Sequence, residues 1–394
     1  MKSSQLSLRS LLFLLAGLTA LAPLGTDAYL PAIPSMAISF STSIHHVELS
    51  ISLFLAGFAI GQLIGGPLSD HFGRRSTVFA GLSIFALGTL GIILSSSLNG
   101  LLLFRIIEAI GGGMAIVNSG AIIRDISSGR DSARNLSHIA LIMMMAPLFA
   151  PILGMGLLHI TGWHGIFIFL LAYTVVITFL IYKNVPETRV KNEHRISALE
   201  RYLSILKHHH ALGYLFALCF AYGGMFAFIT GSPSVYMVFF KISPTLYPLF
   251  FGANIVTMVL ANRLNVRLLR DYSPDHLLSL GQAIQLVTGI LLLSYIFIVD
   301  VPLLAVVVGL VMLFVGSQSF IVSNATSSTI EFFPQNSGTA SALLGSSGFA
   351  TGALSGTLVG LLGDGTPLPM ALVMTGCIIM GITLRFIMQR PGKA

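Results

Sequence analysis

Long apolar runs, separated by short polar segments, recur along the whole chain. A helix needs about 20 apolar residues to cross a hydrocarbon core roughly 30 Å thick. By this measure the pattern predicts twelve spans, near residues 9–34, 47–68, 77–97, 99–123, 134–159, 163–183, 209–232, 245–265, 276–298, 301–325, 337–362 and 367–388. The predicted fold is an all-α membrane protein with one six-helix bundle at 1–184, a charged linker at 185–208 and a second six-helix bundle at 209–394.

The composition also indicates a membrane protein, since 55% of the residues are apolar and only 9% are charged. Soluble domains average about 45–50% apolar and roughly 25% charged. The net charge of +7 comes from basic residues spread over short loops rather than from a basic stripe, so we expect no nucleic-acid partner. The sequence has no Cys/His ligand spacing and no phosphate-binding loop, so we expect no metal and no cofactor.

The basic residues also predict an orientation. They fall on alternate loops, and all but Lys241 and Arg105 of the 21 Lys and Arg residues lie on one side. The positive-inside rule places that side, together with both termini, in the cytoplasm. Two halves with equal numbers of spans and parallel orientation are typical of transporters with internal repeats.

Three ionisable residues stand out inside the predicted spans, where a charge costs roughly 2.5–3.5 kcal/mol to insert and is usually functional. Asp27 lies in span one, and Arg105 and Glu108 lie one turn apart in span four. Asp27 and Arg105 have similar predicted depths, so they can meet if the two spans adjoin. We interpret the three residues as a proton-coupling site. The alternatives are a fixed ion pair between two helices and, for Glu108, simple neutralisation of Arg105 within its own helix.

A motif of small and charged residues follows span two, where residues 65–75 read GGPLSDHFGRR. Glycines permit a tight turn and close helix approach, and Asp70 can cap a helix or pair with an arginine. We interpret the motif as a cytoplasmic clasp that breaks and reforms during transport; an ordinary basic loop is the alternative. Its candidate members are Gly65, Asp70, Gly73, Arg74, Arg75 and Arg124.

Span five carries two prolines four residues apart. Pro147 and Pro151 lack backbone donors and are expected to kink the helix, while Gly154 permits tight packing. We interpret this segment as a hinge, with an inert packing motif as the alternative.

Ligand contacts are expected at polar or aromatic breaks in otherwise apolar spans, although core packing also explains single aromatic residues. The candidates for a substrate cavity are Tyr29, Asn118, Tyr222, Met225, Phe226, Phe228, Tyr236, Asn254, Gln318 and Asn324. We interpret Glu48, near the outer end of span two, as an interfacial residue. His45 and His46 precede it in an outer loop without companion ligands.

Several of these motifs resemble those of the major facilitator superfamily. Residues 65–75 resemble its signature loop, residues 105–111 its span-four motif and residues 146–156 the span-five motif of its drug antiporters. More narrowly, the chain resembles the bicyclomycin-resistance (Bcr/CflA) family of multidrug exporters. That resemblance rests on segments 26–34, 162–167, 186–188, 224–228, 324–325 and 333–341, which span nearly the whole chain in order.

The resemblance implies a major facilitator fold with a central cavity and a proton-coupled antiporter that exports amphipathic drugs or small metabolites. It assigns the embedded acid to Asp27, the span-four arginine to Arg105 and the loop aspartate to Asp70, with Arg124 as its partner. Glu108 departs from the family pattern, which more often has glutamine there.

The implied setting is the inner membrane of a bacterium, where we expect a monomer that binds a small molecule, protons and the bilayer. A proton-coupled nutrient uptake symporter is the alternative transporter. A polytopic membrane enzyme is disfavoured, because the spans contain no convergent nucleophile, base or metal ligands.

Overall fold

The computed structural model describes residues 8–127, 129–189, 198–333 and 337–390, and this part of the chain is helical without any strand. The helices are α1 (Leu8–Asp27), α2 (Ile33–Ser39), α3 (Ile44–Phe72), α4 (Arg74–Leu94), α5 (Leu98–Ile126), α6 (Gly129–Asn184), α7 (Ala198–Leu206), α8 (His209–Pro233), α9 (Tyr247–Leu268), α10 (Pro274–Ile298), α11 (Leu304–Phe332), α12 (Ser337–Leu362) and α13 (Leu368–Met388). A 3₁₀ turn, Leu30–Ala32, precedes α2, and a π-helical turn, Ser234–Phe239, follows α8.

Eleven stretches of the described chain are long and apolar enough to cross a membrane. One of them, Met145–Asn184, is 40 residues long and lies in α6, which Gly162 interrupts with a φ of 71° and a ψ of −173°. Glycine readily adopts this positive φ, so α6 comprises two arms, 129–161 and 163–184. Counting these arms separately, a helix corresponds to each of the twelve predicted spans.

The first span is interrupted immediately after Asp27. The helix α1 ends at that residue, and the 3₁₀ turn that leads into α2 begins at Leu30, with Pro31 as its second residue. Pro31 and Pro34 have no backbone N–H groups, so the α-helical hydrogen-bond ladder cannot run unbroken through this segment. The interruption places the Asp27 carboxyl group at a helix end that lies within the membrane-spanning segment Ser10–Ser39.

The motif after span two is mostly helical rather than a loop, which corrects the sequence-based expectation. The helix α3 continues through Gly65 and Asp70 to Phe72, and α4 begins at Arg74. Only Gly73 separates the two helices, and it has a φ of 106°. A glycine is required here because other residues rarely adopt this conformation.

The structure divides into two compact units. The first contains the described residues of Met1–Thr42 and Ala56–Arg195, and the second contains those of Ser43–Leu55 and Ile196–Ala394. In the first unit α4 packs along α5 and α1 packs along α6, while in the second α8 packs against α12 and α13. The predicted bundle at 1–184 includes Ser43–Leu55, which the contacts assign to the second unit. Within the predicted linker, residues 198–206 form α7, and residues 190–197 lie outside the described residues.

Candidate functional site

A buried ion pair lies within the first unit. Arg105 and Glu108 of α5 are both completely buried, and Arg105 Nη1 donates a 2.6 Å hydrogen bond to Glu108 Oε2. The two residues are three positions apart on one helix face, so they meet without help from another span. Paired and hydrogen-bonded charges of this kind are the form in which ions are tolerated in a low-dielectric interior.

Neighbouring helices complete the surroundings of this pair. Thr89 of α4 donates a 2.8 Å hydrogen bond to Glu108 Oε1. The close approach of α4 depends on Gly88, because a Cβ atom there would lie 2.4 Å from the Glu108 backbone nitrogen. The guanidinium carbon of Arg105 lies 4.4 Å from the centre of the Tyr29 ring, so the cation also contacts an aromatic face.

Asp27 lies between Gly25 and Tyr29, which both contact Arg105, but the described structure shows no bond from Asp27 to the ion pair. Its side chain is 3% exposed, and its Oδ1 atom has no hydrogen-bond partner in the described structure. Instead, Arg105 Nη2 donates a 2.8 Å hydrogen bond to the backbone oxygen of Gly25, two residues before Asp27. The described residues show no Asp27–Arg105 ion pair, which corrects the expectation that these two groups meet. The carboxylate that pairs with Arg105 is that of Glu108, on the same helix.

A second charged cluster lies where α3 meets α4. Arg74 Nη1 donates hydrogen bonds to Asp70 Oδ1 at 2.7 Å and to Ser69 Oγ at 2.8 Å, and Arg74 Nε donates to Asp125 Oδ2 at 3.0 Å. The arginine therefore joins the end of α3 to the end of α5 through two carboxylates. Sequence reasoning named Asp70 and Arg74 but missed Asp125, which follows Arg124 at the end of span four.

Glu187 closes this cluster from the segment after α6. Its carboxylate accepts the backbone N–H groups of Arg74 at 2.8 Å and Arg75 at 3.1 Å, the first two residues of α4. Partial burial raises the pKa of Glu187, but the N–H groups of Arg189, Arg74 and Arg75 outweigh it and hold the pKa below the usual 4.5. Glu187 thus takes the helix-capping role considered for Asp70.

The remaining members of the predicted clasp have different positions. Arg75 donates a 2.7 Å hydrogen bond to the backbone oxygen of Tyr182, and its guanidinium group lies over the Tyr182 ring. Gly65 packs α3 against α5, since a Cβ atom there would lie 2.8 Å from Met114 Cα. The side chain of Arg124 is exposed, and Asp70 is bonded to Arg74, one of the arginines considered as its partner; the Asp70–Arg124 pairing stays a prediction.

The predicted hinge residues lie in the first arm of α6, where the backbone stays helical at Pro147 and Pro151. The non-helical residue of α6 is Gly162, so the break falls at the end of this arm rather than at the prolines. Gly154 packs directly on the residue after α1, because a Cβ atom there would lie 1.5 Å from the backbone oxygen of Ala28. The close contact of α6 with the Asp27 segment depends on this glycine.

The candidate cavity residues are distributed over both units. In the first unit, Tyr29 lies beside Arg105, and Asn118 is buried with its Oδ1 atom unpartnered. In the second unit, Tyr222 and Phe226 stack at 6.1 Å, Phe228 packs on Tyr236, and Met225 is half-buried. The described structure gives no hydrogen-bond partner to three further buried atoms of this set: Tyr236 Oη, Asn254 Oδ1 and Gln318 Oε1. Buried polar atoms without protein partners are candidates for ligand or water contacts.

Asn324 differs from these residues because the protein satisfies it. Its Nδ2 group donates to Asn265 Oδ1 at 2.8 Å and to the backbone oxygen of Phe320 at 2.7 Å. The contact joins α11 to α9, and Asn265 was not singled out in the sequence. Asn324 is therefore engaged in a helix–helix contact.

Glu48 is not interfacial, which corrects its interpretation from the sequence. Its side chain is completely buried, and it accepts hydrogen bonds from Ser234 N–H and the ring of His45. Glu48 lies three positions after His45, so a partner was present in the sequence at one helical turn. Within the described residues, no group of three or more His, Cys, Asp or Glu side chains is arranged to hold a metal ion.

Comparison with known proteins identifies the class. Residues 15–357 match the family model of the Major Facilitator Superfamily, and the chain belongs to this superfamily. It is therefore a multi-pass membrane transporter, a secondary transporter rather than an enzyme, and it acts on a small molecule within a lipid bilayer.

Individual relatives refine this assignment. The chain is 34% identical to a bicyclomycin resistance protein homolog of Haemophilus influenzae over 93% of its length and 92% of that protein. It is 29% identical to a chloramphenicol resistance protein of Pseudomonas aeruginosa, over 96% of this chain and 90% of that one. These similarities confirm the resemblance to the bicyclomycin-resistance branch.

A solved structure matches the fold. The crystal structure of a bacterial homolog of the human lysosomal transporter Spinster, in an inward-facing and occupied conformation, aligns with a TM-score of 0.75. The alignment covers 97% of each chain at 13% sequence identity, so it supports the major facilitator fold alone.

Proposed function

We propose that this transporter is a proton-coupled antiporter that exports amphipathic drugs or small metabolites by alternating access. The names of its relatives, which refer to bicyclomycin and chloramphenicol resistance, support the substrate class. The strongly one-sided Lys and Arg residues support a location in the bacterial cytoplasmic membrane with both termini inside. The chain functions as a monomer, with bundles at 1–184 and 209–394 joined by the linker 185–208.

One observation carries the coupling mechanism: Asp27 is a buried acid with an unpartnered carboxyl oxygen at a helix interruption. An ionised carboxylate without a countercharge is expensive in such an environment, so the group gains from binding a proton. Arg105 is already paired with Glu108 and leaves Asp27 available to exchange protons. Protonated Asp27 accompanies the return of the empty carrier, and loss of the proton to the cytoplasm accompanies substrate binding.

The clasp and the hinge have supporting roles in this cycle. Asp70, Arg74 and Asp125 hold the cytoplasmic ends of α3, α4 and α5 in one arrangement, and this contact breaks when the access side changes. Pro147, Pro151 and Gly154 let the first arm of α6 adjust against the Asp27 segment. The unpartnered oxygen atoms of Tyr236, Asn254 and Gln318 supply polar contacts to substrate among the aromatic side chains of the second unit.

The first prediction tests the coupling acid. Asp27→Asn keeps the shape of the side chain but cannot exchange a proton, so we expect proton-driven transport to be lost while the protein remains folded. Purified protein is placed in liposomes containing a pH-sensitive dye, a proton gradient is imposed, and a panel of drugs and metabolites is added. In the parent protein, we expect protons to move opposite to at least one compound.

Matched variants make the result specific. Asp271→Asn removes an exposed carboxylate between α9 and α10 and should leave transport unchanged. Export by Asp27→Asn at the parent rate would show that Asp27 is not the coupling acid. Movement of protons and compound in the same direction in the parent protein would instead establish an uptake symporter.

A further inference from the structure

A further buried acid, besides Asp27 and Glu108, lies in the second unit. Glu48 is completely buried near the start of α3, and both of its carboxyl oxygens are engaged. Oε2 lies 3.1 Å from His45 Nδ1, and Oε1 accepts the backbone N–H of Ser234 at 3.0 Å. A buried carboxylate is thus joined on one side to a titratable ring and on the other to a backbone donor.

The surroundings of this pair contain few other charges. Ser234 begins the π-helical turn Ser234–Phe239, and π-helical turns are frequent at functional sites. This turn carries no charged side chain, and Tyr236 is its one titratable residue. From the segment after α12, the ring of His45 meets Gly363, where a Cβ atom would lie 2.5 Å from Nδ1, and the charge of Asp364 also acts on His45.

The two side chains differ in their access to water. The side chain of His45 is 20% exposed, whereas that of Glu48 is 0% exposed. The imidazole therefore lies between the solvent and the buried carboxylate. The pair is at the beginning of α3, and the arginine cluster is at the opposite end of the same helix. In the orientation given under Proposed function, on which this inference rests, His45 faces the outside of the cell.

We propose that His45 and Glu48 form a second proton-binding site, loaded from the external aqueous phase. In the starting state, His45 carries its proton on Nδ1, and this N–H group donates a hydrogen bond to the ionised Glu48 carboxylate. A hydronium ion protonates Nε2, and the Nδ1 proton passes to Glu48 Oε2. The products are one water molecule, a neutral imidazole with its proton on Nε2, and a neutral carboxylic acid, so one proton has moved from solvent to Glu48.

Loading this site changes how α3 is attached to the π-helical turn. The hydrogen bond from Ser234 N–H to an ionised carboxylate is charge-assisted, and such bonds are roughly twice as strong as neutral ones. Protonation of Glu48 makes the acceptor neutral and weakens the bond. External acidification therefore loosens the start of α3 from the segment that follows α8.

The experiment follows the carboxyl group directly by infrared difference spectroscopy. The protein carries Asp27→Asn, which removes the other proposed proton acceptor, and is inserted into liposomes with one orientation, verified by proteolysis of the linker. A rapid drop in external pH should produce a carbonyl band of a protonated carboxyl group. Adding Glu48→Gln, which retains an oxygen acceptor for Ser234 N–H, should abolish that band.

A second variant tests whether His45 passes the proton to Glu48, and its result does not depend on whether the Glu48→Gln protein folds. Adding His45→Gln in place of Glu48→Gln should slow the rise of the band by on the order of a hundredfold, as for loss of a positioned proton donor. His46→Gln removes the adjacent exposed histidine and should leave the rate unchanged. A spectrum unaffected by Glu48→Gln, a rate unaffected by His45→Gln, or a band that responds only to internal pH would each overturn the proposal.

Because this measurement requires no transport, its result is separate from the test of the proposed antiport. A chain that fails to exchange protons for drugs would still produce the band if Glu48 takes up external protons. Conversely, if Asp27 alone takes up protons, the parent protein would transport normally and the Asp27→Asn protein would lack the band.

Discussion

At the scale of single residues, the sequence groups Asp27, Arg105 and Glu108 in one predicted site, whereas the structure pairs only Arg105 with Glu108 among these three. The spacing of Arg105 and Glu108 predicts a shared helix face, and the structure pairs them there. For Asp27, by contrast, spacing along the chain does not show which groups surround its carboxyl group. Its Oδ1 atom is unpartnered, while the carboxylate that pairs with Arg105 is that of Glu108.

This pairing leads to a second prediction, about stability. Glu108→Ala leaves the buried Arg105 without its carboxylate partner, and breaking such a pair typically costs about 3–5 kcal/mol. Glu108→Gln keeps an oxygen acceptor and should cost less, and Thr89→Val removes one hydrogen bond worth about 1 kcal/mol. Thermal unfolding of the purified protein in detergent should rank the variants in that order. An unchanged midpoint for Glu108→Ala would contradict the structural importance of the pair.

At the scale of helices, a charged side chain after or near the last helix of each unit's sequence half contacts the start of an earlier helix. In the first unit, the carboxylate of Glu187, after α6, accepts N–H groups at the start of α4. In the second unit, Arg385 near the end of α13 donates to Asp275 at the start of α10 at 2.5 Å. The sequence shows that Arg74 and Arg385 are basic residues near helix ends. Only the packing shows that their partners are Glu187 and Asp275, each about 110 residues away.

The cap on α4 gives a third prediction, about pH. The pKa of Glu187 is lower in the folded protein than its usual value of 4.5, so its stabilising effect is complete above that value and is lost as the pH falls through the folded value. Glu187→Gln should lower the unfolding midpoint at neutral pH by the equivalent of about 0.3–1 kcal/mol, as for a charge at a helix end. The difference from the parent should shrink as the pH falls below 4.5 and disappear once the pH is below the folded pKa.

A control distinguishes the cap from a general charge effect. Glu331→Gln removes an exposed carboxylate at the end of α11 and should show no comparable pH-dependent difference. A Glu187→Gln difference that persists unchanged in acid would mean that packing, rather than the ionised carboxylate, stabilises the start of α4.

The contact in the second unit gives a fourth prediction. Arg385 also donates to Gln282 at 2.8 Å, and Tyr214 donates to Asp275 at 3.1 Å, so the pair belongs to a network. In a double-mutant cycle, Asp275→Asn and Arg385→Met should be non-additive, with a coupling energy of roughly 0.5–3 kcal/mol. Unfolding of the four proteins in detergent measures this coupling, and additive effects would show that the two side chains act independently.

At the scale of the whole molecule, the sequence predicts far more about architecture than about contacts. Twelve spans could be placed because apolar length is a local property of the chain. The break at Gly162 falls between the predicted spans 134–159 and 163–183. The helical continuation to Phe72 was not predicted, because a single glycine at residue 73 replaces the expected loop. The burial of Glu48 could not be read from its position near a helix end, because it depends on Ser234 in a segment 186 residues away.

The clasp at the end of α3 gives the final prediction, which concerns the transport cycle. Arg74 bonds to both Asp70 and Asp125, so Asp70→Asn removes one of its two carboxylates and changes the relative stability of the conformations between which the transporter moves. Substrate contacts are expected elsewhere, at residues such as Tyr236. We therefore expect slower turnover in liposomes with little change in substrate affinity.

Two further variants locate the effect. Asp125→Asn removes the other carboxylate on Arg74 and should also slow turnover, whereas Asp271→Asn, in the corresponding junction of the second half, should not. Turnover and equilibrium binding are measured on the same preparations, so that a conformational effect is separated from a loss of binding. Weakened binding with turnover preserved would place Asp70 in substrate recognition. Equal slowing by all three variants would instead indicate a general effect of surface charge, since only two of them alter the partners of Arg74.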